Sequence, residues 1–399
     1  MASLLFLTAL SLLSHSSIAA PAPVSSGTPN TTTRSCVDLA LSLPIKANNS
    51  IYDIPRVDNN IDAVDFVWDL DHWSAPNATE RIRGPKPVDQ TFTISAQLCV
   101  PQAPNAEKAD ILQIATHGFG FDKRYWDAGL QPEKYSYVDA ALAAGYSILT
   151  YDRLGVGSSD KPDAYEIVQV PVQVEILAAI AGLARRGTLA TQAKAKASFT
   201  VPTFTKTVLV GHSFGSGLTI SMLAHYPHLV DGAVATGLIP NTQVGAAGQR
   251  AFGLEYAAAS NPSRFHDRGS GYLVQGTVSA LQQVFFKKGF FEPRVLEYAD
   301  SIKETGTAGE FVSFGSALER PAGGYRGPIL FALAEYDFGT CLGDCKGTYD
   351  VSEIRRGLFP GAADVGVHVQ PGSGHTLTLH GNATGHYEAV FAYLREWGL

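Results

Sequence analysis

Thr207-Val-Leu-Val-Gly-His-Ser-Phe-Gly-Ser-Gly-Leu218 reads as a short apolar strand, a sharp turn and the start of a helix. Val208, Leu209 and Val210 supply the buried strand, and Leu218, Ile220, Met222 and Leu223 continue as a helix that Pro227 closes. The turn is Gly211-His212-Ser213-Phe214-Gly215, with a serine at its apex and a glycine two residues to either side. A serine hydroxyl reacts only when it projects clear of the backbone toward a base, and a strand-to-helix turn projects it. The glycines follow from that, because the backbone of so tight a turn passes too close to neighbouring chain for a Cβ. Ser213 is the candidate nucleophile; the plainer alternative is a glycine-rich turn whose serine only caps a helix.

A nucleophilic serine needs a base and an acid, each placed on a turn after a later strand. Pro328 to Ala334 is an unbroken apolar run suited to a strand buried on both faces, and Glu335-Tyr336-Asp337 follows at its carboxyl end. Asp337 is the candidate acid, with Glu335 and Asp344 as competitors and a solvated loop carboxylate as the bland reading. Asp364 to Gln370 alternates like a last strand, and Pro371-Gly-Ser-Gly-His375 turns sharply after it. His375 is the candidate base. His380 and His386 lie on or beside a final helix, roughly 384–397, where surface or capping histidines are expected, and His368 falls inside the strand pattern as a packing residue.

Charge developing on a carbonyl oxygen needs backbone donors. The Phe214 amide, directly after the nucleophile and at a helix N-terminus, is one candidate. The Phe119 amide is the other, in the His117-Gly118 turn that opens after the apolar strand beginning at Ile111. The His117 ring is read as a brace for that turn, without a catalytic role.

With these residues assembled, residues 88 to 399 resemble the α/β-hydrolase superfamily, and more narrowly its secreted fungal members. The resemblance rests on His117-Gly118 with Trp126, on Tyr151-Asp-Arg-Leu-Gly-Val-Gly-Ser158, on the Ser213 turn, on Asp337 and on Gly374-His375. It implies a mostly parallel central sheet flanked by helices, with an inserted helical cap. The Tyr151 to Ser158 turn is usually structural in the superfamily, so Asp152 and Arg153 are assigned no chemistry. Epoxide hydrolases and haloalkane dehalogenases carry aspartate at the turn; the serine here argues against both.

The composition fits a large globular protein: 399 residues, 45% hydrophobic and 17% charged. A formal net charge of −7 gives no reason to expect nucleic acid or an anionic membrane as partner. No metal-ligand cluster, phosphate-cradling lysine motif or dinucleotide fingerprint occurs, so a cofactor-free enzyme is expected. Leu4 to Leu13 is an apolar stretch of signal-peptide size, followed by the small-residue pattern Ser17-Ile-Ala19 before Ala20, although no Lys or Arg precedes it. It is too short to span a bilayer comfortably, and the expectation is secretion without a membrane span.

Four cysteines allow three pairings; proximity favours Cys341 with Cys345 and, by elimination, Cys36 with Cys99. The first would stiffen the loop after Asp337, and the second would pin the N-terminal region to a strand over 90–98. Sequons stand at Asn30, Asn48, Asn77 and Asn382. Between Gly237 and Pro328 the strand rhythm stops, and an aromatic-rich segment of helices and loops reads as the cap. The expected organisation is a signal peptide (1–19), an N-terminal extension tied to the core by a disulfide (20–87), an α/β-hydrolase core (88–237 and 328–399) and a helical cap (238–327).

Together these expectations describe a secreted serine hydrolase cutting a carboxylic ester or lactone of a small to medium apolar molecule, with a polyketide ester among the candidates. The same three residues would also serve amide, thioester or carbon–carbon bond hydrolysis or a lyase, and a binding protein that kept the fold and lost the chemistry is the non-enzymatic rival. The mature protein should begin near Ala20, lose mass on treatment with an N-glycosidase, and show no free thiol when unfolded without reductant. Alkylation of Cys341 and Cys345 under those conditions would remove the stiffened acid loop.

Overall fold

The computed structural model describes residues 34–102, 108, 110–240 and 250–399; the expected signal peptide and Asn30 lie outside them. Eight strands form one sheet in the order β1-β2-β4-β3-β5-β6-β10-β11. They are β1 (Ser35–Tyr52), β2 (Ile82–Val100), β3 (Ile111–Thr116), β4 (Ser147–Tyr151), β5 (Lys206–His212), β6 (Gly232–Thr236), β10 (Pro328–Ala334) and β11 (Asp364–Gln370). From β4 to β11 neighbouring strands run parallel. Every residue of β3 and β10 is buried, and helices cover both faces, which is why these segments read as continuous apolar runs. The expected α/β-hydrolase architecture is the one observed.

The antiparallel end of the sheet obeys the other rule. In β1, Val37, Leu39, Leu41, Leu43 and Ile45 are buried while the residues between them are exposed, the alternation of a strand with one wet face. β1 pairs along its whole length with β2, and β2 pairs antiparallel with β4. Residues 35–52 are therefore an edge strand of the core sheet, and the expected boundary at residue 87 falls inside β2. Cys36 and Cys99 stand directly opposite in that pair with sulfurs at 2.08 Å, and Cys341 and Cys345 are likewise bonded.

The insertion after β6 is more than helices and loops. β7 (Leu254–Tyr256), β8 (Tyr272–Gln275) and β9 (Gly306–Thr307) make a small antiparallel sheet beside helices Val278–Phe285, Pro293–Ile302 and Ala308–Ser313. Strands of two to four residues are too short to print a period-two pattern, so the sequence did not disclose them. A second segment joins this cap. The β1–β2 connection carries helix Asn60–Asp71, started by Asn59 accepting from the Ile61 and Asp62 amides. Its Phe66 packs edge-on against Phe311, and Val57 accepts from the Gly271 amide at 2.9 Å. Among the described residues no helix is long and apolar enough to cross a membrane.

Helix Ala383–Glu396 closes the chain, burying His386, Tyr387, Val390, Phe391 and Leu394. His386 and His380 were expected as surface or capping residues; both are buried, His380 where its Nε2 accepts from the Lys287 amide of the cap, and His386 on the inward face of the helix. Burial holds His380 down to about 4 and His386 down to about 3, from an ordinary 6.5. Both rings are neutral in the fold and gain a proton on unfolding below pH 6.5, so the unfolded chain then binds more protons. Their contribution is complete above pH 6.5 and is lost as pH falls toward those values. Replacing His386, whose Nδ1 has no hydrogen-bond partner among the described residues, by Phe should flatten the fall of unfolding free energy by up to about 1.4 kcal/mol per pH unit in that window. Calorimetric melts at several pH values check this; an unchanged slope would contradict it.

Candidate active site

β5 runs straight into helix Phe214–His225, and the residue between them, Ser213, has φ 52° and ψ −115°. A positive φ at a non-glycine residue is strained, and it persists only where surrounding structure enforces it. Here the two flanking glycines enforce it. A Cβ on Gly215 would lie 2.2 Å from the Thr116 carbonyl oxygen, and one on Gly211 would lie 2.5 Å from the Gly215 carbonyl oxygen. The helix is thus pressed against the end of β3, and the Ser213 side chain is turned out onto the wall of a cavity.

Asp337 follows β10 and His375 follows β11, which brings both beside the end of β5. Each oxygen of the fully buried Asp337 carboxylate lies 2.8 Å from His375 Nδ1. That nitrogen carries the ring proton, since a carboxylate offers only acceptors, and Nε2 is left bare. Asp337 is held in turn by the Thr340 amide at 2.8 Å, and His375 stacks on Phe285 of the cap. The competing carboxylates are engaged elsewhere: Glu335 pairs with Lys346 and accepts from the Gly372 amide, which holds its carboxyl below the usual range, and Asp344 accepts from the Lys346 amide of its own loop. His368 bonds Gln370 along β11. Ser213 and His375 line the same cavity, with no hydrogen bond between them among the described residues; such contacts are often long before substrate arrives.

The Phe119 and Phe214 amides donate to no protein group among the described residues, and both residues line the cavity. The turn that carries Phe119 is fixed from behind. His117 Nε2 accepts from the Arg153 amide at 3.1 Å, so its Nδ1 bears the hydrogen and donates to the Gly118 carbonyl at 2.9 Å. Burial, reinforced by Arg153, holds that imidazole well below its usual range and hence neutral. The brace expected of His117 is present.

Sequence reasoning passed over Arg153. Its side chain is fully buried and ion-paired with Glu310 of the cap. The guanidinium also donates from Nη2 to the Gly118 carbonyl at 3.3 Å and lies 4.5 Å over the Phe214 ring. Glu310 accepts further from Gln173 Nε2 at 2.9 Å and, within a capping box, from the Thr307 amide at 3.1 Å. Burial pushes the Glu310 carboxyl up, and Arg153 draws it back. Removing one partner of such a pair typically costs about 3–5 kcal/mol, because a lone charge is left in the core. The sequence held half a signal: a charged residue beside a structural turn, without its partner 157 positions later.

The cavity measures about 340 Å³. Its walls are apolar, with Phe119, Phe252 and Phe311 meeting edge to face and Phe214 tilted on Phe314. Of the aromatic residues in the insertion, Phe252, Phe311 and Phe314 reach it. Ala78, from the β1–β2 connection, reaches it as well, although that connection showed no functional signal in the sequence. A larger cleft of about 720 Å³ between the β1–β2 edge and helix Val170–Arg185 lies apart from Ser213. Asn48, Asn77 and Asn382 are exposed.

The strand order, the strained serine after β5 and the Asp337–His375 pair after β10 and β11 agree with a match of residues 114–386 to the alpha/beta hydrolase family. The chain belongs to that family. Several solved structures resemble it at low identity. A thermophilic esterase from Thermogutta terrifontis with malate bound is 14% identical, with 77% of this chain and 95% of the esterase covered and a TM-score of 0.50. A soluble variant of monoglyceride lipase from Saccharomyces cerevisiae is 14% identical over 77% and 91%, at 0.49, and an epoxide hydrolase from Vigna radiata 12% identical over 76% and 95%, at 0.48. No curated protein matches the chain.

Within this hydrolase, Gly215→Ala should cost at least about 2 kcal/mol, because the contact it violates is with backbone that cannot swing aside. Gly357→Ala, where a Cβ meets nothing within 4 Å, should leave stability unchanged or slightly improved. Denaturant melts of the two variants side by side test this; equal stability would mean that the elbow is looser than its geometry.

Proposed function

We propose that this α/β hydrolase is a secreted serine hydrolase cleaving a carboxylic ester or lactone of a small to medium apolar molecule through an acyl-enzyme. Ser213 attacks the carbonyl, His375 takes its proton and later returns it to the leaving group, and Asp337 keeps the imidazole oriented and stabilises its cationic form. The Phe119 and Phe214 amides receive the oxyanion. The observation that carries the proposal is the paired contact of Asp337 with His375 Nδ1 at 2.8 Å, which leaves Nε2 bare in the cavity that Ser213 faces. Serine at the elbow favours acyl transfer over epoxide opening. Two disulfides and three exposed sequons support passage through an oxidising secretory route.

Substrate size follows from the cavity. Ligand sites commonly measure about 300–1,000 Å³, so 340 Å³ is at the small end. Each buried methylene should add up to about 0.8 kcal/mol until the space is full. On a series of p-nitrophenyl esters, kcat/KM should therefore climb with acyl size to an optimum and then drop, and polymeric esters should be poor substrates. Comparable rates on small and polymeric esters would show that the cap does not select.

The chemistry has its own test. Ser213→Ala or His375→Ala should lower kcat by about 10³ to 10⁶, the double variant should be scarcely worse, and Asp337→Asn should lose less. A fluorophosphonate should label Ser213. Ordinary turnover by Ser213→Ala, or labelling elsewhere, would remove the proposal.

A further inference from the structure

We infer that Arg153 is the positioning residue of the oxyanion site, and that Glu310 from the cap makes this possible by neutralising it in the core. The inference rests on the serine-hydrolase reading above and adds two residues to it. The peptide between Gly118 and Phe119 is planar and trans, so its carbonyl and its N–H point in opposite directions. Arg153 Nη2 and His117 Nδ1 both donate to the Gly118 carbonyl, at 3.3 and 2.9 Å. Pinning that carbonyl from behind fixes the direction of the Phe119 N–H in front. It also polarises the peptide, since a donor on the oxygen strengthens the N–H at the other end. The same guanidinium lies 4.5 Å over the ring of Phe214, which supplies the second amide. One side chain thus holds the carbonyl of the peptide whose N–H is the first donor and lies over the ring of the residue that supplies the second, while touching no reacting atom.

A lone guanidinium could not stay in this position, because the site is fully buried. Glu310 supplies the counter-charge from helix Ala308–Ser313, and that carboxylate is itself held by Gln173 and the Thr307 amide. The helix and the turn after it also carry Phe311 and Phe314, which line the cavity. Seating the cap and aligning the oxyanion donors are therefore one event. Sequence reasoning gave Arg153 no chemistry; its contacts assign it this role.

Arg153→Lys keeps the charge and loses the planar fork that lets one group hold Glu310 and Gly118 together. Arg153→Met/Glu310→Gln removes both charges at once and strands neither. In each variant that melts as a folded protein, kcat on a p-nitrophenyl ester should fall about 10- to 100-fold with KM within about threefold. The inhibition constant of a matching trifluoromethyl ketone, which forms an oxyanion adduct on the serine, should rise in parallel. A purely structural pair would lower the melting temperature and leave kcat and the ketone affinity where they were. If the wild-type protein turns over esters and is labelled at Ser213 while both variants keep kcat within about twofold, this inference alone is wrong. If the wild-type protein neither turns over esters nor is labelled, the serine-hydrolase reading fails and takes the inference with it.

Discussion

The helix that begins at Phe214 is pressed so closely against the end of β3 that the Thr116 carbonyl occupies the space a side chain at residue 215 would need. That contact between two backbones holds Ser213 in a left-handed conformation it would otherwise leave. Its consequences reach across the site. The helix N-terminus arrives with the Phe214 amide, and the β3 turn beside it with the Phe119 amide, neither of them donating to a protein group among the described residues. Parallel strands on the other side of β5 then bring Asp337 and His375 to the same edge, since all of them end at the carboxyl side of one sheet.

Around this floor, several buried polar groups are held by specific partners. His117 is kept neutral and used as a hinge pin between two turns. Arg153 and Glu310 are kept charged and paired. His212 stacks on Tyr125 and bonds Thr236, and burial keeps it neutral next to His375. Neutrality there matters physically: a cation on His212 would oppose any positive charge on His375.

The cap is tied to this floor rather than laid over it. Thr376, next to His375, donates from both its amide and its hydroxyl to the Phe285 carbonyl, and the Lys287 amide donates to His380. At the opposite side Glu310 reaches Arg153. Cap residues thus steady His375 and the Gly118 turn as well as shaping the cavity, and the β1–β2 connection contributes Phe66 and Ala78 to the same structure.

The features legible in the sequence were those that one stretch of chain specifies by itself. The Gly-x-Ser-x-Gly turn, the buried runs of β5 and β10, the alternation of β11, the His-Gly turn and the cysteine pairing all follow from local geometry, periodicity or proximity, and they delivered the fold and the five candidate site residues. What only the tertiary structure decided depends on residues far apart in sequence. The Arg153–Glu310 pair joins positions 157 apart, no periodicity links them, and an arginine in a structural turn looks the same with or without a carboxylate above it. The burial of His380 and His386 was set by what covers them, and the three short strands of the insertion exist through pairing rather than pattern. The β1–β2 connection became part of the cavity because it packs against the cap, and a contact of that kind leaves no mark on the sequence that makes it.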